Sequence, residues 1–128
     1  MSRARDHGQS TVELAIVLPV VVVLLLLVVQ FALVIRDQVL VVHAAREAAR
    51  SAAVATTDDR SDAARRGGIG AGPLDPDRLR VTEAILPGGQ RVRVRIDYLS
   101  RTDIPLVGAL LPDVDLSSDA TMRLETDQ

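Results

Sequence analysis

From Leu14 to Ile35, about 22 consecutive residues carry no charged side chain, which is long enough to cross a bilayer as a helix. This run constrains the chain more than any other feature in it. Inside hydrocarbon every backbone amide must find its partner within the protein, and a single segment can do that only as a helix. Pro19 removes one helical hydrogen bond and frees the carbonyl of Ala15, which membrane helices accommodate with a kink. Val20 to Val29 is unbroken Val and Leu, with no small-residue packing motif. Gln30 is the one polar side chain before Arg36.

Residues 1–8 hold Arg3, Arg5 and Asp6 and are too short to fold alone. The apolar run is longer than a secretory signal, and no small-residue cleavage site follows it, so it is expected to stay in the protein as an anchor. Ser10-Thr11-Val12-Glu13 has the S-x-x-E form of a capping box, with Ser10 as the helix cap. The helix is therefore expected to start near Ser10 or Thr11. Glu13 has two readings. It caps the helix N-terminus, where the dipole favours a carboxylate. Alternatively, it is an expensive charge at the edge of hydrocarbon that pairs with a partner, such as a neighbouring subunit's N-terminal amine.

Beyond the run, residues 36–55 read as the same helix continuing in water. Arg36, His43, Glu47 and Arg50 fall on one side; Val41, Ala45, Ala48 and Ala52 fall on another. One helix of about forty residues, on the order of 60 Å long, results. Residues 56–78 form a helix/loop linker, with a short helix over Arg60 to Arg66, a loop at Gly67–Pro73 and a turn at Asp75–Asp77. Leu79 to Leu86 and Arg91 to Tyr98 are strands joined at Pro87-Gly88-Gly89-Gln90, with Val92, Val94 and Ile96 facing inward. Their register stays open, because a one-residue shift would exchange the faces of the first strand. Ile104 to Leu111 is either an irregular apolar loop or a helical turn. Asp115 to Glu125 is a last strand, with Ala120, Met122 and Leu124 on one face. The fold class is α+β: a long N-terminal membrane helix reaching into the exterior, plus a small antiparallel sheet of about three strands. The divisions are 1–8 leader, 9–55 helix, 56–78 linker and 79–128 a small β-rich exterior domain. With Phe31 and Tyr98 the only aromatics, the core is expected to be thin.

Composition excludes several chemistries. The chain has no cysteine, which removes disulfides, thiolate zinc sites and a cysteine nucleophile. A net charge of −2 argues against a nucleic-acid partner. Arg91, Arg93 and Arg95 read as a solvated stripe guarding an edge strand. His43 has no second histidine in reach, so no metal is expected. The Gly67–Gly72 cluster lacks the Lys-Ser/Thr of a phosphate loop. Asp58, Asp59 and Asp62 lack calcium-loop spacing. Ser51, Ser100, Ser117 and Ser118 sit in no nucleophile context. No catalytic residue and no cofactor is expected, and the chain reads as a non-enzyme.

Gly8-Gln9-Ser10-Thr11-Val12-Glu13 followed by an apolar helix resembles the class III signal of type IV pilins and pseudopilins. With His43 to Ala53 (HAAREAARSAA) and the tail Pro105 to Glu125, the chain resembles the TadE-like family, minor pseudopilins of the tight-adherence (Flp) pilus. Position 14 departs from the pattern, holding Leu where prepilin signals often have an aromatic. The resemblance implies cleavage between Gly8 and Gln9 by a prepilin peptidase, with Glu13 the fifth residue after the cut. It further implies packing against other pilin or pseudopilin helices in the lipid bilayer, and contact with pilus assembly platform proteins. The protein would then lie in the cytoplasmic (inner) membrane as a single-pass chain, leader inside and C-terminal domain outside. Arginine counts on the two sides do not decide that orientation. The alternative is an uncleaved single-pass adaptor or sensor whose exterior domain binds a partner.

Overall fold

The computed structural model describes residues 6–109 and 111–125, with side chains from Ser10 onward. Its first element is a single helix, α1, spanning Asp6–Val54. Its 49 residues make it about 70 Å long. It begins upstream of the expected start at Ser10, so Ser10 lies inside the helix and not at its cap. A helix gains one bond for each residue added once it is nucleated, and no proline stands between Asp6 and Ser10 to stop it. The helix continues unbroken through Pro19.

The C-terminal end of α1 is closed by distant groups. Arg60 Nε donates to the Ala52 carbonyl at 3.3 Å, and the Glu125 amide donates to Ala53 at 3.0 Å. These satisfy carbonyls that a helix end leaves without partners.

A second helix, α2, spans Arg60–Gly70. It runs through Gly67 and Gly68, which composition assigned to a loop. The cause is proximity. A Cβ on Gly67 would lie 2.9 Å from the Glu47 carbonyl oxygen of α1, and one on Gly68 would lie 3.0 Å from Ile96 Cδ1. The glycines let α2 press against α1 and the sheet at distances a side chain would forbid. A 3₁₀ turn at Pro76–Arg78 follows, capped by Asp75, whose carboxylate accepts from the Asp77 amide at 3.0 Å. Arg78 Nε donates to the same carboxylate at 2.8 Å. The Arg78 bond, and next the Asp77 amide, hold the Asp75 carboxyl below its ordinary range.

Three strands complete the chain: β1 Leu79–Ile85, β2 Arg91–Ser100 and β3 Val114–Arg123. They form one antiparallel sheet in the order β1-β2-β3. Gly88 and Gly89 take the positive φ angles that the β1–β2 turn requires. The register left open by sequence pairs Leu79 with Tyr98, Val81 with Ile96 and Ile85 with Val92. Since β2 is the central strand, the Arg91–Arg95 stripe guards no edge. It lies on the outer face, where Arg93 faces Asp119 at 3.8 Å and Arg95 pairs with Asp97 at 2.9 Å.

β2 and β3 lie on α1, and α2 packs against α1 and β1. Val92, Val94, Ile96 and Tyr98 are buried on the inner face, as alternation predicts. They meet an α1 face of Val41, Ala44, Ala45, Ala48, Ala49 and Ala52, all fully buried. The alanines keep the helix surface flat, so sheet and helix approach closely. The core is thin: its largest fully buried side chains are Ile96 and valines.

Candidate functional site: the bare half of the first helix

The buried alanine face of α1 begins at Val41, and nothing comparable covers the helix below it. The most apolar stretch has a mean hydropathy of 3.2 and none of it is buried. Leu14, Ile16, Val28 and Phe31 each leave more than 60% of their surface open. Burial of such side chains is worth about 1.5–3 kcal/mol each, so a row of them in water is untenable. Among the described residues this is the one helix long and apolar enough to cross a membrane. It has the character of a single-pass membrane anchor.

Glu13 stands on exposed helix one residue before the run begins. Gly8 and Gln9 lie within α1. Pro19 falls in the bare half, where lipid or another helix is free to adapt to the missing hydrogen bond. The leader residues 1–5 lie outside the described residues. Spacing along one helix places Gly8, Ser10, Glu13 and Pro19 on one end of the molecule, remote from the sheet.

Residues 8–50 match the family model of the TadE-like proteins. The matched segment takes in the whole apolar run and the alanine face as far as Arg50, and none of the sheet. That family is associated with Tad/Flp pilus systems. The tail Pro105–Glu125, quoted above for its likeness to the same family, lies outside the matched residues. No curated protein and no solved structure matches the chain.

The TadE-like segment thus takes in all of the apolar run that the fold leaves bare, together with the lower part of the alanine face. The remaining candidates lie above the bare half. His43 is exposed on α1, and no cluster of metal-ligating side chains occurs among the described residues. Ser100 donates to Asp37 at 2.8 Å and ties β2 to the helix, a structural bond between sheet and anchor.

One feature escaped sequence reasoning. Gln30 is only 3% exposed, although it sits in the bare half. Its Nε2 donates to Thr102 Oγ1 at 3.4 Å, while its Oε1 is buried with no hydrogen-bond partner among the described residues. The signal was a lone amide in an uncharged run. Its partner, 72 residues away, had no local signature.

Proposed function

We propose that this chain is a pseudopilin-like assembly subunit of a Flp-type pilus or a related secretion machine, working through the bare half of α1. The observation that supports the reading is that the TadE-like match takes in the whole uncovered apolar run together with Glu13 just ahead of it. A prepilin peptidase cuts between Gly8 and Gln9, and the chain sits in the inner membrane with its leader on the cytoplasmic side. The bare helix then packs laterally against other pilin or pseudopilin helices, and an assembly platform protein handles the subunit. Glu13 neutralises the N-terminal amine that cleavage creates on a neighbour. In lipid such a pair spares two charges from isolation, which gives assembly its register.

Glu13→Gln tests this role. Gln replaces Glu in a capping box, so helix entry and insertion survive. The expected outcome is normal membrane insertion with pilus assembly lost. Normal assembly by the Gln variant would overturn the proposed role of Glu13 and favour an uncleaved single-pass adaptor or sensor.

A further inference from the structure

We propose that the apolar loop between β2 and β3, tipped by Leu106, dips into the lipid bilayer as a second membrane contact beside the anchor helix. The proposal rests on reading α1 as membrane-spanning, and it stands apart from any pilus role.

The loop's depth follows from what it touches. β2 runs down α1 toward the bare half: Ser100 binds Asp37, and two residues later Thr102 binds Gln30. Gln30 lies six residues below Arg36, the first charge after the apolar run, or about 9 Å deeper along the helix axis. The chain then makes its turn at this level. Ile104 and Pro105 share an open cleft with Leu33 and Arg36. A segment at this height is alongside hydrocarbon, not above it.

Its composition suits that place. Ile104 to Leu111 contains no charge, in a domain otherwise rich in Arg and Asp. Leu106 is 63% exposed, and Leu111 is exposed as well. Leu106 also holds a left-handed backbone with φ +70, a conformation that costs a non-glycine residue energy. A strained backbone thus presents a leucine outward at the tip.

The backbone is prepared for low polarity. Gly108 N donates to the Ile104 carbonyl at 2.8 Å, and Leu111 N to Val107 at 2.9 Å. Pro105 and Pro112 have no amide to satisfy. The neck is closed by Thr102, which donates from Oγ1 to the Pro112 carbonyl and from its amide to Asp113, both at 3.0 Å. Val107 is fully buried beneath. Arg36, Arg101 and Asp103, all exposed, line the cleft at the loop's neck with Asp37 and Arg78, a charged collar that suits the headgroup layer above the uncharged turn. The same docking covers Gln30, whose bare amide would be costly in lipid.

The chain has no cysteine, so single labels are straightforward. Leu106→Cys, Thr121→Cys on the outer face of β3 and Val22→Cys in the anchor each receive an environment-sensitive fluorophore. The full-length variants are placed in phosphatidylethanolamine/phosphatidylglycerol vesicles. Lipids spin-labelled near the headgroup should quench the Leu106 label several-fold more than the Thr121 label, while aqueous iodide should reach only the latter. Iodide quenching of the Leu106 and Thr121 labels alike, with the Val22 label shielded from iodide, would overturn the loop's insertion and leave the anchor standing. A Leu106 label shielded from iodide yet untouched by the lipid quenchers would mean a protein covers the loop, and would equally overturn the proposal. A Val22 label open to iodide would overturn the anchor and the loop together.

Discussion

The two halves of α1 are one helix folded for two solvents. Below Arg36 the helix is built from Val and Leu and is largely uncovered, apart from the side where Gln30 and Val34 meet the chain. Above it the same helix narrows to alanine on one side and charge on the other, and a sheet and a second helix lie on the alanine face. The difference teaches where each half finds its stability. The upper half is held by its own chain, through close approach of small residues. Among the described residues the lower half meets its own chain only near its top, where Gln30 reaches Thr102 and Val34 packs against the core, and the proposed partners for the rest are lipid and other helices.

Substitutions should separate the halves. The largest effect is expected at the centre of the sheet: Ile96→Ala should destabilise the exterior domain by about 2–5 kcal/mol. Denaturation in detergent, followed by amide exchange of β2, measures this. Leu25→Arg in the bare half should leave that exchange unchanged and instead oppose insertion by about 2.5–3.5 kcal/mol, read from the fraction of protein in the membrane. If Leu25→Arg loosened the sheet as much as Ile96→Ala does, the halves would not be independent.

Glycines sharpen the contrast on a smaller scale. Gly67→Ala should destabilise by about 1–3 kcal/mol through overpacking against Glu47 and Ser51 of α1. Gly70→Ala, with nothing within 4 Å of its new Cβ, should stabilise by roughly 0.5–1 kcal/mol. Thermal melts of the two variants should shift in opposite directions.

The smallest effect is expected at Asp75, a part-exposed carboxylate paired with Arg78. Its carboxyl is held below its ordinary value of 3.8 by Arg78 and the Asp77 amide. A lowered folded pKa adds stability above the ordinary value, lost as pH falls through the folded one. Asp75→Asn should therefore be slightly less stable than the parent at neutral pH, and the gap should close in acid.

Much of this was legible in the chain. An uncharged run, the alternation of Val92, Val94 and Ile96, and the alanine periodicity above Arg36 are periodic signals that a solvent boundary imposes directly. The fold class, the three strands and the thin core follow from them. What stayed hidden depended on contacts between distant residues. Gly67 and Gly68 look like a loop by composition and are helical because α1 and Ile96 press on them. β2 looks like an edge strand because its arginines are exposed, yet β1 and β3 flank it. Ser10 reads as a cap, but with the leader attached α1 starts at Asp6. Removal of residues 1–8 would return Ser10 to the helix's first turn, where a capping hydroxyl is useful.

On the proposed function, processing links the bare half of α1 to assembly. Mass spectrometry of the mature N-terminus, from cells expressing a prepilin peptidase, is the most direct test. A chain beginning at Gln9 is the expected result, and an intact leader ahead of Gln9 would contradict the account.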